Sequence, residues 1–155
     1  MRRAVVLIAL ATACVAASHA GAVVVSVGNP WINSAAAGEA SASAYMDLVS
    51  DVDLKLVGAS SPWADKIEIR AVELKDGLPV ERTLHTLDVP VNVKVRLAPG
   101  GNYLALRTIK HAFGNGDYVP ITLRFEDAKR TPHTVDVNVQ ARGITLPKRS
   151  APSSQ

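Results

Sequence analysis

The sequence predicts an all-β fold in a single domain, and three observations support this prediction. Apolar and polar residues alternate with a period of two in several short runs, which is typical of strands with one buried face. Turn-forming residues separate the runs at short intervals, as in a β-sandwich or a small barrel. The alanine-rich residues 35–44 alone suggest a helix, but Gly38 and serines interrupt them. We therefore expect a loop there, leading into a strand.

The alternating runs define the expected strands in chain order. They cover residues 43–49, 66–70, 91–97, 121–125 and 135–139. In each run, one set of side chains faces the core and the other faces water. This alternation favours antiparallel strands that are half buried.

Turn signals lie between these runs, and each combines residues that favour tight backbone turns. They are Asp51, Ser60-Ser61-Pro62, Asp76-Gly77, Pro99-Gly100-Gly101 and Gly114-Asn115-Gly116-Asp117. The Asp-Gly pair stands between two strand-like runs, which predicts a β-hairpin with a two-residue loop.

The N-terminus has the pattern of a secretory signal peptide. Met1-Arg2-Arg3 is basic, residues 4–17 are small or apolar, and Ser18-His19-Ala20 provides a small-residue cleavage site. We expect cleavage near Ala20 and a periplasmic product. The alternative is a lipoprotein anchored through Cys14, although Leu10 lies one position too far from that cysteine for the usual motif.

The chain divides into three expected parts: a signal peptide at 1–20, one domain at 21–145, and a disordered, Pro- and Ser-rich tail at 146–155. Cys14 is the sole cysteine, so cleavage at Ala20 leaves no thiol for a disulfide. We therefore expect the fold to depend on its apolar core. The apolar run of the leader is too short for a typical transmembrane helix, so the cleaved protein is not expected to be transmembrane.

Charge argues against a nucleic-acid partner. The whole chain carries +3, and the loss of Arg2 and Arg3 reduces this to about +1. The remaining basic residues alternate with acids, and few aromatics accompany them, whereas a nucleic-acid surface shows a basic stripe. The net charge gives no other indication of a partner.

No local motif for catalysis is present, and we expect no enzyme activity. Gly114-Asn115-Gly116 is not a phosphate-binding loop, because it lacks the following glycine and a Lys-Ser/Thr pair. Ser60 and Ser61 lack the glycine that closes a nucleophile elbow. The histidines outside the leader, His85, His111 and His133, are far apart in sequence, whereas zinc sites usually show local ligand pairs.

An ordered set of short segments resembles the PCu(A)C family (DUF461) of periplasmic copper chaperones. The segments are Asn29-Pro30-Trp31, Ala44–Leu48, Leu56–Pro62, Ala64–Ile69, Val89-Pro90, Leu97–Gly101 and Gly116–Glu126. The resemblance covers residues 23–139. It implies a cupredoxin-like β-sandwich and Cu(I) delivery to cytochrome c oxidase. It therefore also implies a periplasmic or membrane-anchored partner, such as an oxidase assembly component.

The family's copper motif is a histidine, a methionine eleven positions later, and His-x-Met beginning thirty-three positions after the first histidine. Imidazole and thioether are soft ligands suited to Cu(I). With this spacing, the resemblance assigns the four ligand positions to Arg70, Glu81, Tyr103 and Ala105. None of these residues is a histidine or methionine, and no His-x-Met occurs elsewhere in the sequence.

Three interpretations follow from these substitutions. The chain is a PCu(A)C-like interaction module without copper at this site, a chaperone with a relocated site at His85, His111 or His133, or an enzyme of unknown class. No cofactor is expected under the first, and copper remains possible through the resemblance. We also expect Arg70 and Glu81 to form an ion pair across the Asp76-Gly77 hairpin, with Tyr103 beside it. Met46 is expected in the core.

Overall fold

A computed structural model describes residues 22–143. The expected leader (1–20), the domain boundaries at 21 and 145, and the expected tail (146–155) lie outside the described residues. Ten strands and no helix are present within this range, so it contains no helix that could cross a bilayer. The strands are β1 (Val25–Asn33), β2 (Ser41–Ser50), β3 (Leu54–Ser60), β4 (Ala64–Lys75), β5 (Leu78–Leu84), β6 (Leu87–Val89), β7 (Val95–Leu97), β8 (Asn102–Ile109), β9 (Tyr118–Asp127) and β10 (Pro132–Arg142).

Seven of the strands form a barrel, in the order β4-β8-β2-β1-β10-β9-β3. A pairing between β3 and β4, at Ala59 and Ile67, closes it. Most neighbours are antiparallel, while β1 and β10 run parallel. Strands β5 and β6 form the two edges of the sheet. The prediction of an all-β, cupredoxin-like sandwich or barrel is confirmed.

The core fills the barrel with the inward-facing half of each alternating strand. Its largest fully buried side chains include Phe125, Ile32, Leu56 and Leu104, and Met46 lies among them at 2% exposed, as expected. Burying this apolar surface is the main stabilising contribution to such a fold. The described residues contain no cysteine, so no disulfide adds to it.

Four of the five expected strands lie within observed strands, but the expectation for 91–97 is wrong in its first half. Only Val95–Leu97 is a strand. Asn92 has φ +57°, the left-handed value typical of a turn, and Val91 and Val93 are 40% and 49% exposed. Val91 and Val93 therefore lie in a loop, and their side chains face water.

The turn predictions are confirmed in position. Asp76-Gly77 joins β4 to β5, with both residues at positive φ (+53° and +78°), which is the backbone of a type I′ hairpin turn. Residues 35–40 form the expected loop, and β2 begins at Ser41. The hairpin positions the outward-facing residues described next.

Candidate functional site

Strand β4 presents charged residues on its outer face. Lys66, Glu68 and Arg70 point outward, because the residues between them, Ile67 and Ile69, contribute to the core. The strand therefore displays three charges in a row above a hydrophobic interior.

The neighbouring strands bring the four positions assigned by the resemblance onto this face. In the β4–β8 register, Arg70 lies opposite Tyr103, and Glu68 lies opposite Ala105. On the other side, Glu81 of β5 lies diagonally across from Arg70. All four positions thus form one patch, although they are spread over thirty-five residues of sequence.

The predicted ion pair is confirmed. Arg70 Nη2 lies 3.1 Å from Glu81 Oε2. The Arg70 side chain is 16% exposed and that of Glu81 is 53% exposed. The guanidinium is thus largely covered, while the carboxylate still reaches solvent.

Glu68 is the centre of a larger network that the sequence analysis missed. Its Oε1 lies 2.7 Å from Lys66 Nζ, and its Oε2 lies 3.0 Å from Arg107 Nε and 3.5 Å from Arg70 Nη1. Hydrogen bonds from Lys66 and Arg107 lower the pKa of Glu68 from 4.5 to about 2. We call these four residues together with Glu81 the Glu68 cluster.

One atom of this cluster has no partner. Arg70 Nε is buried and makes no hydrogen bond to any of the described residues. A buried donor left unpaired costs about 1–3 kcal/mol. The cluster is therefore not optimised for stability at every atom.

Tyr103 belongs to a small apolar cluster beside these charges. Its ring centroid lies 6.2 Å from that of Tyr45, which in turn lies 4.4 Å from Trp31, and Ala105 is buried among them. Burial raises the pKa of the Tyr103 phenol, and the nearby Glu81 carboxylate raises it further. The phenol therefore stays protonated at neutral pH.

None of the four assigned positions offers a soft donor for Cu(I). The Arg70 guanidinium has no lone pair to give a metal, and Ala105 has no donor atom. Glu81 is a hard oxygen ligand, and the raised pKa of Tyr103 disfavours a phenolate. This donor set does not fit the ion that the family motif binds.

The three histidines have separate environments. The His111 ring packs against Trp63 at a tilt of 46°, with ring centroids 4.4 Å apart, and His133 Nε2 lies 3.4 Å from Asp127 Oδ2. His85 is exposed just after β5. Within residues 22–143, no group of three or more His, Cys, Asp or Glu side chains is arranged to hold a metal.

Two members of the Glu68 cluster that were not predicted as site residues, Lys66 and Glu68, did leave a signal in the sequence. They alternate with isoleucines and share this period with Arg70, so their common face was visible. Arg107 was not visible, because its place beside Glu68 depends on the β4–β8 register, which pairs it with Lys66.

Comparisons with known proteins agree with this architecture. A model of the LpqE-like family, described as "Putative lipoprotein LpqE-like", matches residues 25–139. A curated relative, "Putative lipoprotein Lxx21020" of Leifsonia xyli subsp. xyli, is 26% identical over 114 residues, covering 73% of this chain and 69% of the relative.

Solved structures of PCuAC domains share the fold. The apo PCuAC domain from PmoF1 is 28% identical with a TM-score of 0.57, over 76% of this chain and 93% of that domain. The copper-bound PCuAC domain from PmoF2 is 24% identical (TM-score 0.56, 76% and 92% covered). Apo-DR1885 from Deinococcus radiodurans is 22% identical (TM-score 0.56, 93% and 98% covered). The chain belongs to the LpqE-like family, within the PCu(A)C (DUF461) group.

Proposed function

We propose that this chain is an exported PCu(A)C-group protein that does not bind Cu(I) at the usual His/Met site and instead serves as a protein-interaction module. The observation that carries the proposal is the Arg70–Glu81 ion pair of 3.1 Å, which occupies the place assigned to two copper ligands. A cation held there by the protein itself would repel a metal cation.

The surroundings of the ion pair support the same conclusion. Glu68 also gathers Lys66 and Arg107, so the patch carries three basic groups and two carboxylates. A metal cation placed among the four assigned positions would therefore meet more positive than negative charge. Such a charged surface can select a protein partner of complementary charge.

The family role suggests the class of partner and of activity. PCu(A)C proteins are copper chaperones and not a known enzyme family, so we propose no catalysis for this chain. The partner would be a periplasmic or membrane-anchored protein, for which a cytochrome c oxidase assembly component is the example given by the resemblance. A homologue without its cargo site would keep the docking function alone.

We also propose that the chain is exported and anchored through Cys14. Both the family and the curated relative carry the description "Putative lipoprotein", which favours the lipid-anchored alternative over cleavage near Ala20. Cys14 follows an apolar run, although Leu10 stands four positions before it, one more than in the usual motif. Anchoring would hold the interaction module at a membrane surface.

Cu(I) titration against a competing chelator tests the proposal. The wild-type domain is expected to take up no tightly bound Cu(I). A variant that restores the family spacing, Arg70→His, Glu81→Met, Tyr103→His and Ala105→Met, is expected to bind one equivalent, because it supplies four soft ligands on the same patch.

Two further variants complete the test. Replacing only Arg70 and Glu81 by alanine removes the ion pair without adding ligands, and should leave the domain without tight Cu(I) binding. Tight one-to-one binding by the wild type would overturn the proposal. If alanine at His85, His111 or His133 then abolished that binding, the relocated site would be the correct interpretation.

A further inference from the structure

The free edge of strand β5 is the feature that leads beyond the proposed function. Among the described residues β5 pairs with β4 alone, so one side of its backbone has no neighbouring strand. All of its residues from Leu78 to Thr83 are exposed. An edge of this kind is a template for a further strand.

The hairpin turn determines which backbone groups point outward. A two-residue loop makes Lys75 and Leu78 a hydrogen-bonded pair, and bonded and non-bonded pairs then alternate along the strands. As this alternation requires, the Val72 N–H points away from β5 and donates a hydrogen bond to Gly101 O at 3.1 Å. Pro79, Glu81 and Thr83 are therefore the residues whose backbone groups face the open side.

These free groups form an unprotected edge. Glu81 and Thr83 each offer an N–H and a C=O, while Pro79 has no N–H and marks the end of the usable edge. Proteins usually protect such edges with bulges, prolines or charged side chains, lysine above all. From Val80 to Leu84 the strand has no bulge, lysine or proline, and its two charged residues, Glu81 and Arg82, are already paired with Arg70 and Glu73 of β4.

A second copy of this chain fits the edge poorly. Antiparallel self-pairing that keeps Glu81 opposite an outward-facing residue of β5 has three registers. One opposes two Glu81 carboxylates, one opposes two Arg82 guanidiniums, and the third places Glu81 against Pro79, which cannot donate. Like charges directly opposite are destabilising, so a different chain is the better occupant.

We propose that the edge of β5 binds an extended segment of another protein by strand addition, with a lysine or arginine of that segment opposite Glu81. The Glu81 side chain is 53% exposed and contacts Arg70 through Oε2, so it has room for a second cation. Val80, 45% exposed on the opposite face, would take an apolar β-branched neighbour. This inference rests on the proposed function, because it names the surface through which the interaction module binds.

An amide chemical-shift and hydrogen-exchange titration tests the proposal. The probe is a capped eight-residue peptide of alternating valine and threonine with one central lysine. In the free domain, the amides of Glu81 and Thr83 are expected to exchange rapidly. The peptide should protect both and shift them, whereas the same peptide with glutamate in place of lysine should bind about threefold more weakly.

Two variants sharpen the test. Thr83→Pro removes one outward N–H without touching the β4 ladder, and is expected to weaken binding about fivefold. Glu81→Gln should keep binding but lose the preference for the lysine peptide. The spectrum of each free variant reports whether the barrel is intact.

Failure of this inference can be told apart from failure of the proposed function, because the Cu(I) titration alone tests the proposed function. Unchanged Glu81 and Thr83 amides at millimolar peptide would overturn the inference, as would equal binding by Thr83→Pro. Protection of these amides that rises with protein concentration in the absence of peptide would show that a second copy occupies the edge.

Discussion

At the scale of single residues, Glu68 organises the outer face of the barrel. It contacts Lys66 and Arg107 directly and lies within 3.5 Å of Arg70. Such a network differs from an isolated surface ion pair, because one carboxylate is already fixed by several partners. The orientation of Arg70 toward Glu81 therefore depends on Glu68 as well.

Glu68 should make stability depend on pH. Its pKa is lowered from 4.5 to about 2 in the folded state, so its stabilising effect is present above pH 4.5 and lost as the pH falls toward 2. Glu68→Gln is expected to lower the free energy of unfolding by about 1 kcal/mol at pH 6. Urea unfolding at pH 6 and pH 3 measures the difference, which should shrink at the lower pH.

The control for this prediction is Glu73→Gln, which removes a well-exposed partner of Arg82. It is expected to cost less than about 0.5 kcal/mol, as exposed pairs do. An effect of Glu68→Gln that is equally large at pH 3 and pH 6 would contradict the assigned role of the carboxylate.

At the same scale, the sequence predicted the contact between Arg70 and Glu81 but not the network centred on Glu68. The Arg70–Glu81 pair followed from the family spacing and the Asp76-Gly77 hairpin. Glu68 was visible as one of three alternating charges, but its role requires Arg107, which comes from a strand thirty-nine residues away in sequence. Local patterns identify a face, whereas the register between distant strands decides which side chains meet on it.

At the scale of elements, the β4–β5 hairpin holds both the ion pair and the free edge. Its two-residue turn requires positive φ at both positions, and Gly77 has φ +78°. The turn therefore sets the register that places Glu81 near Arg70 and points its backbone outward.

Gly77→Ala is expected to lower the free energy of unfolding by about 1 kcal/mol, since a side chain disfavours the left-handed conformation. No heavy atom lies within 4 Å of the added Cβ, so the cost comes from the backbone alone. The matched control is Gly101→Ala, whose φ is not positive and whose Cβ would meet Ala98 O at an ordinary 3.6 Å. Thermal unfolding compares the two, and equal destabilisation would contradict the turn assignment.

The strands themselves differ in how well the sequence predicted them. Runs with one buried face, such as 121–125 and 135–139, were predicted because burial imposes the alternation. Residues 91–94 alternate equally well but form a loop, and β5 was expected only as the second strand of the Asp76-Gly77 hairpin. Its exposed residues carry no burial pattern, so pairing with β4 is the main feature that defines it.

At the scale of the whole molecule, the fold of the barrel and the cellular location of the protein rest on different observations. The fold is confirmed as the PCuAC type, and its core was largely predicted by alternation. The point of closure between β3 and β4 was not predictable, because it rests on the pairing of Ala59 with Ile67.

The location of the protein provides the prediction at this scale. The full chain, expressed in a bacterium that processes lipoproteins, is expected to fractionate with membranes and to begin at an acylated Cys14. Cys14→Ala should release it as an unacylated protein cut near Ala20. Mass spectrometry of the N-terminus measures both, and a wild-type product that begins at Gly21 would contradict the anchor.

The outward placement of the four assigned positions has a consequence for how this group of proteins diverges. Arg70, Glu81, Tyr103 and Ala105 lie outside the main core, although Tyr103 and Ala105 are buried in the small cluster with Tyr45, so a lineage can exchange them without repacking the barrel interior. Exchanges at these four positions are therefore limited by the small outer cluster and not by the main core. Relatives that carry copper and relatives that do not can share one scaffold, and the shape of the barrel alone does not distinguish them.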